Sequence, residues 1–373
     1  MESILLFGVF EGIIVFLLIF LKRKKTVSDY LLSSFFLIYA FNTFLSYLEI
    51  YNRTHGFPYP LFFFISTPFL LLHWPILWLY VKSLTDQHFR FRPVYLLNLL
   101  PFLLCIVLFT FEYYTKPLDE KIVKLQSESF KQQWDYPAVI ITMTLSSLIY
   151  LSWAAVLVRR YNRKIKVYFS ETSRYDLYWL RILMITSAVI YTVIYLAFAI
   201  DLIIPLAPFR FLHQASFILG SVYIIVLGFF GHRQGNLFSE KNIGIELQEP
   251  GPVSEIKYSL TKKENEFILF LLNYMKENKP FLIPEITLSA LASEMEVTPD
   301  YLSGIINNKL GKNFFDFINH YRIEEFKTRS QAPENKKFTL LSIAYDCGFN
   351  SKATFNRVFK NVTGITPGEY ASR

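Results

Sequence analysis

Seven apolar stretches, each of about 20 residues, crowd into the first 231 positions of this chain, and few folds can hold them. They lie at roughly 4–21, 30–51, 59–81, 94–112, 137–158, 180–203 and 209–230. Coiled as a helix, a run of that length matches the ~30 Å hydrocarbon thickness of a bilayer. Among the 373 residues, 53% are hydrophobic, with 38 Phe and 24 Tyr, high for a chain that lives in water. After Gly231 the apolar residues fall instead in short periodic stretches, as in an ordinary helical domain. The expected fold class is therefore all-α: a seven-helix transmembrane bundle over 1–231, then a cytoplasmic all-helical domain.

Charge orients the bundle. The basic cluster Lys22–Lys25 follows the first apolar run, and no small-residue cleavage site follows it, so the run reads as a true span and not a signal peptide. With the N-terminus outside, inner loops hold 14 Lys and Arg and outer loops hold 6, as the positive-inside rule asks. Seven spans then leave the C-terminal domain inside. Residues 1–231 carry 20 basic and 13 acidic side chains, and residues 232–373 carry 18 and 17, so the net +8 belongs mainly to loops and is not a nucleic-acid signature. Tyr113–Tyr136 is the one sizeable outer loop. Pro68, Pro75 and Pro101 are expected to kink their helices. Glu11, Asn42, His73, Asn98, His213 and Gln214 are polar groups in or near spans. Most such groups simply bond helix to helix; Glu11 and His73 are the candidates for a membrane-domain signal site. Cys105 and Cys347 are expected in different compartments, which rules out a disulfide, and no His/Cys cluster points to a metal.

Residues 232–260 read as a flexible cytoplasmic linker, with four Gly and Pro between Gly244 and Pro252. Helical periodicity starts at Thr261, which with Glu264 fits a capping box, and continues through an apolar stripe of Phe267, Leu269, Phe270, Leu271, Tyr274 and Met275. Near the C-terminus, over about 339–362, Leu341, Ile343, Ala344 and Cys347 give one helix an apolar face, and Gly348 supplies a turn that needs positive φ. Ser351 caps a second helix whose inward residues are Phe355, Val358 and Phe359. Its outer face is polar and basic, as a helix in a DNA groove requires. A weaker copy lies about fifty residues upstream, over about 286–311. Leu288, Leu291, Ala292 and Met295 form its first helix, Thr298 and Pro299 start its second, and Leu302, Ile305 and Ile306 point inward. A connecting helix over about 313–329 joins the two.

From about Glu264 to Arg373 the chain resembles the two-headed DNA-binding domain of the AraC/XylS family of bacterial transcriptional regulators. The matching residues are Leu291–Ala292, Tyr301–Ser303, Gly311–Ile318 (GKNFFDFI), Arg322, Ile343–Ala344, Gly348–Phe349, Phe355, Phe359–Lys360, Gly364, Thr366–Pro367 and Tyr370. The resemblance implies two helix-turn-helix units that enter successive major-groove segments on one face of the DNA. The expected DNA-contacting residues are Pro299, Asp300, Tyr301, Ser303, Gly304, Asn307 and Asn308 on the first unit. On the second they are Ser351, Lys352, Ala353, Thr354, Asn356, Arg357 and Lys360. Two departures weaken the first unit. Glu296 stands where the second has Gly348, and Gly304 presents no side chain. Residues 285–311 hold one basic and four acidic side chains, whereas 336–373 hold six and two, so the second unit is expected to dominate affinity.

The leading reading is a membrane-bound one-component transcriptional regulator of the bacterial plasma membrane. Its partners would be double-stranded DNA, the bilayer, an unidentified small-molecule or membrane signal and, through effective concentration, a second copy. The alternatives are a transporter or enzyme with a regulatory cytoplasmic domain, and a passively anchored DNA-binding protein. The scattered His and acidic residues form no catalytic set, so no enzyme activity, cofactor or metal is expected.

Overall fold

The computed structural model describes residues 2–234 and 262–372, apart from positions 60, 61, 63, 87, 174, 176 and 205. Among them every regular element is helical, and extended pairing is limited to one isolated bridge, Phe169 with Thr287. The chain divides into two compact units: Met1–Val158 with Leu177–Glu240, and Arg159–Asp176 with Lys241–Arg373.

The first unit contains α1 (Glu2–Phe20), α2 (Val27–Thr54), α3 (Leu70–Thr85), α4 (Leu100–Phe109), α5 (Leu118–Gln126), most of α6 (Asp135–Tyr168), α7 (Tyr178–Asp201) and α8 (Phe209–Gln234). Five helical segments are long and apolar enough to cross a membrane by length and composition: Ser3–Phe20, Val27–Thr54, Pro93–Tyr114, Asp135–Tyr168 and Leu180–Asp201. Among the described residues, five of the seven expected spans meet that criterion. The expected span over 59–81 is a helix only from Leu70, whereas α8, Phe209–Gln234, covers the expected span over 209–230, with Phe211–Ile225 as its described apolar part.

The reason for the short α3 lies in the residues before it. Around Ser66 the backbone forms turns, and its polar groups are met by side chains of α2. The Ser66 amide donates to Glu49 Oε1 at 2.6 Å, and Asn42 Nδ2 donates to the Ser66 carbonyl at 2.6 Å. Irregular backbone inside an apolar bundle persists only where protein groups satisfy it. Pro68 lies in these turns and Pro101 in the first turn of α4, so of the three prolines only Pro75 sits inside a helix. Tight packing of α1 explains two glycines at i and i+4. A Cβ on Gly8 would stand 2.9 Å from Ser221 of α8, and one on Gly12 would stand 3.0 Å from Ala40 of α2. Small residues at such spacing let helix backbones approach closely.

The second unit holds α9 (Lys262–Glu277), α10 (Leu288–Glu294), α11 (Pro299–Gly304), α12 (Phe314–Gln331), α13 (Leu340–Asp346), α14 (Lys352–Thr363) and α15 (Pro367–Ala371). Only one side of the α9 stripe is buried: Leu271 and Met275 are inside, whereas Leu269 and Phe270 are exposed. The expected linker and Thr261 lie almost wholly outside the described residues. Phe315, Ile323 and Phe326 of α12 pack with Ile343, Ala344 and Cys347 of α13 and with Phe355, Val358 and Phe359 of α14. Cys105 and Cys347 are both buried and unbridged, and burial pushes the Cys347 thiol up to about 12.

Candidate DNA interface

Each helix of the α13/α14 pair starts on a hydroxyl cap. Thr339 accepts the Ser342 amide at 3.1 Å, and Ser351 accepts the Thr354 amide at 3.3 Å. In the turn between them Gly348 has φ +92°, and a Cβ there would lie 2.5 Å from the Phe281 carbonyl oxygen and 3.0 Å from Arg322 Nε. Glycine is thus required by both conformation and space. With Phe355, Val358 and Phe359 turned inward, α14 leaves Lys352, Ala353, Asn356, Arg357 and Lys360 exposed. Lys352, Asn356, Arg357 and Lys360 line one cleft of about 490 Å³ with the starts of α13 and α15. Among the described residues none of these four side chains is engaged in a hydrogen bond or ion pair, so their donors remain available. Two expected residues are placed differently. Ser351 is half-buried as the cap, and Thr354 is buried, its hydroxyl donating to Glu171 Oε1 at 3.3 Å.

The α10/α11 pair repeats the caps with a different surface. Thr287 accepts the Ala290 amide and Thr298 the Tyr301 amide, at 3.1 and 3.3 Å. Its turn places Glu296 at φ +55°, in the left-handed region. α11 ends at Gly304 and continues as a π-helical turn, Ile305–Lys309, with Leu302, Ile305 and Ile306 buried. Asp300, Tyr301 and Asn308 are exposed; Pro299, Ser303, Gly304 and Asn307 are half-buried. Asn307 Nδ2 donates to Ser303 Oγ at 3.0 Å, so part of that polar capacity is used internally. The Tyr301 ring sits edge-on to Phe267, with centroids 5.0 Å apart.

α12 joins the two pairs around a fully buried Arg322. Its Nε donates to the Phe281 carbonyl at 2.7 Å, and Nη2 donates to Ile283 and Pro284 carbonyls at 2.8 and 3.1 Å. Burial pulls this guanidinium down to about 10, with the Glu171 carboxylate acting the other way. It remains a cation at neutral pH and ties the segment before α10 to the connecting helix.

Sequence reasoning missed one contributor to this unit, the segment after α6. Ser170 Oγ donates to the Ile286 carbonyl at 2.7 Å, Asn319 Nδ2 donates to the Ser170 carbonyl at 3.0 Å, and Arg322 Nη2 reaches Ser170 Oγ at 3.3 Å. Ser170, Glu171 and Thr172 are all buried. A signal was present in the sequence: Val167, Tyr168 and Phe169 form an apolar triplet directly after a run of basic residues, where a solvated loop has no use for one. All three are buried.

Glu11 and His73 do not share a site. Glu11 is partly exposed on α1. His73 is buried, stacks on Tyr39 with centroids 5.0 Å apart, and lines a cavity of about 110 Å³ within the first unit that Glu11 does not line. That cavity also takes in Asp135, which falls within the expected outer loop Tyr113–Tyr136.

The profile of a helix-turn-helix domain family matches residues 291–373. The Bacillus subtilis HTH-type transcriptional regulator YtdP is 31% identical over 86 residues, 23% of this chain and 11% of that protein. Two Escherichia coli HTH-type transcriptional regulators are similar: YijO, 29% identical over 23% of this chain and 29% of its own length, and YpdC, 25% identical over 28% and 34%. The chain thus spans about a third or less of the curated relatives it matches. A solved Listeria innocua protein of unknown function is 28% identical over 28% of this chain and 94% of its own, with a TM-score of 0.25. The C-terminal part of this chain carries a helix-turn-helix domain.

Proposed function

We propose that the chain is a membrane-embedded one-component transcriptional regulator that binds DNA sequence-specifically through two helix-turn-helix units. One observation carries the reading: residues 169–172, which follow directly on the apolar helix α6, are built into the unit that bears the helix-turn-helix domain. The outward faces of the first unit support a bilayer as its surroundings. On α7, Ile185, Val189, Val193 and Leu196 are 56–62% exposed along one stripe, a cost in water and an asset in lipid. The relatives' description as transcriptional regulators supports the DNA half.

In this reading α14 supplies most of the affinity, with Arg357 and Asn356 for base edges and Lys352 and Lys360 for phosphates. α11, acidic and partly self-bonded, adds limited readout. The signal reaches the DNA-binding unit at the Ser170–Glu171 docking. There the buried Glu171 carboxylate accepts the Thr354 hydroxyl in the first turn of α14, on the side facing away from the exposed Lys352–Arg357 surface. Two copies brought together on adjacent sites would gain affinity without new contacts.

The test is genome-wide occupancy of the tagged full-length protein in a bacterial host, beside a Lys352→Ala, Arg357→Ala double variant. Discrete peaks that vanish in the variant are expected; peaks that persist would overturn the assignment of α14. A passive anchor makes a separate forecast: Ser170→Ala with Glu171→Ala would leave occupancy and its response to growth conditions unchanged.

A further inference from the structure

The cavity in the first unit has a carboxylate at one end and aromatic rings around it. Asp135, at the start of α6, is 1% exposed. Its Oδ2 accepts the Tyr113 hydroxyl at 2.6 Å, and its Oδ1 has no hydrogen-bond partner among the described residues. Tyr113, Phe130, Tyr136, Phe209 and Phe64 line the same cavity, with Phe130 at 5.2 Å from Phe64, 4.9 Å from Phe209 and 5.3 Å from Tyr136 between ring centroids. The Tyr136 hydroxyl is also buried without a partner.

The nearby cations are engaged elsewhere. Lys131 binds Asp201 and Glu128, each at 2.8 Å. Lys121 donates to the Tyr114 carbonyl, and Lys124 lies over the Tyr113 ring at 4.4 Å without lining the cavity. Arg53 lies over the Phe64 and Phe209 rings and acts on Glu49. Among the described residues no basic group forms an ion pair with Asp135.

A buried carboxylate with one hydrogen bond and no counter-ion is costly, and the missing partner is a cation. The faces of aromatic rings attract the same kind of ligand, above all alkylated ammonium groups. The volume sets its size. At about 110 Å³ the cavity is somewhat smaller than the ~150 Å³ that admits a benzene ring, so it encloses a head group and not a sugar or nucleotide. Beyond Asp135 the walls turn apolar along Val139, Ile140 and Met143, where a short hydrocarbon stem would lie. We propose that this cavity binds an ammonium group carried on an apolar body, with Asp135 as its counter-ion and the aromatic rings as its cage. The binding itself is independent of what the C-terminal unit does; its use as a signal rests on the regulator reading above.

The experiment uses the full chain in nanodiscs of phosphatidylglycerol alone. Thermal stability is followed as tetramethylammonium or choline is added against matched sodium chloride, with 3,3-dimethyl-1-butanol as the uncharged analogue of choline. Both ammonium ions should raise the unfolding temperature, and the alcohol should not. Asp135→Asn keeps an acceptor for Tyr113, so it should fold with a resting stability near or above the wild type and lose the ammonium response. Tyr136→Phe should retain the response. A nanodisc containing phosphatidylethanolamine separates the sources: if a lipid head group is the occupant, the wild type alone is stabilised and free ammonium adds nothing. Stabilisation by the alcohol equal to that by choline, an undiminished response in Asp135→Asn, or no response to any ammonium source would each overturn the site. Genome-wide occupancy of Asp135→Asn, compared with wild type in the same cells, reads the signalling role separately. Unchanged occupancy beside lost binding would leave the site standing and remove it from regulation.

Discussion

The α10/α11 and α13/α14 pairs share a plan and differ in what presses on it. Both start their helices on hydroxyl caps, and both turn through the left-handed region, at Glu296 and Gly348. Gly348 is wedged against the Phe281 and Leu282 carbonyls, whereas Glu296 is exposed. The outer faces diverge as well: α14 offers Lys352, Asn356, Arg357 and Lys360, whereas α11 and the π-helical turn after it offer Asp300 and Asn308 beside a bare Gly304. The same capped two-helix geometry thus supports two chemistries, because capping and apolar spacing set the geometry while the outward side chains are free to vary.

The largest effect should come from Gly348→Ala. The left-handed conformation costs a non-glycine residue about 1–2 kcal/mol, and the Cβ would also collide with backbone carbonyls that cannot swing aside. We expect a loss of about 3 kcal/mol or more, read as faster hydrogen exchange across α12–α14 in the full chain. The reciprocal change, Glu296→Gly, relieves strain without touching anything and should stabilise by up to about 1 kcal/mol. Equal and opposite effects at the two turns would break the distinction drawn here.

Next in size is base contact. Arg357→Ala should weaken operator binding by about 1–3 kcal/mol, roughly fivefold to 150-fold, and relax preference at one base position. Asn307→Ala, whose amide already bonds Ser303, should cost less. Direct titration of operator DNA decides it. If Asn307→Ala abolished binding while Arg357→Ala spared it, the ranking of the two pairs would be reversed.

Much of this second unit was legible because its signals are local. Ser351 before an apolar i, i+3, i+4 pattern marks the start of α14, and Gly348 marks a turn, whatever surrounds them. The all-helical class followed from the same periodicities. The first unit was less legible, since hydropathy records how apolar a stretch is but not where helix gives way to turn. Residues 59–69 are apolar enough for a span, yet the described backbone around Ser66 and Pro68 forms turns, and Asn42 and Glu49 of α2 supply bonds to it. The docking of Ser170 and Glu171 was hidden for a similar reason. It depends on partners such as Asn319 and Arg322, about 150 residues away.

Gly304→Lys tests whether the first surface is held back by chemistry alone. A Cβ at Gly304 meets nothing within 4 Å, so the fold should tolerate the change. A cation on that face should raise affinity by less than about tenfold and steepen the salt dependence of binding by about one counterion. No change in slope would mean that α11 does not approach the phosphates.

The smallest effect concerns how the pairs are braced. Glu325 of α12 accepts from Lys279 Nζ at 2.9 and 3.1 Å and from Arg329 Nε at 2.8 Å, and Arg329 also reaches the Asp346 carbonyl at the end of α13. Burial alone would raise this carboxyl, but the bonds from Lys279 and Arg329 outweigh it and hold it below the ordinary carboxylate range. A depressed folded value means the stabilisation is fully present above the unfolded carboxylate pKa and is lost as pH falls through the folded one. Between pH 7 and 5 nothing should change; the loss belongs below about 4.3. Because the site is partly open to solvent, the contribution is that of a screened surface network, at most about 1 kcal/mol. It should nonetheless be local. On acidification, amides of α13 should lose exchange protection before those of α10, and Glu325→Gln should remove that difference. Simultaneous loosening of both helices in the unmodified chain would show that the brace does not discriminate between the pairs.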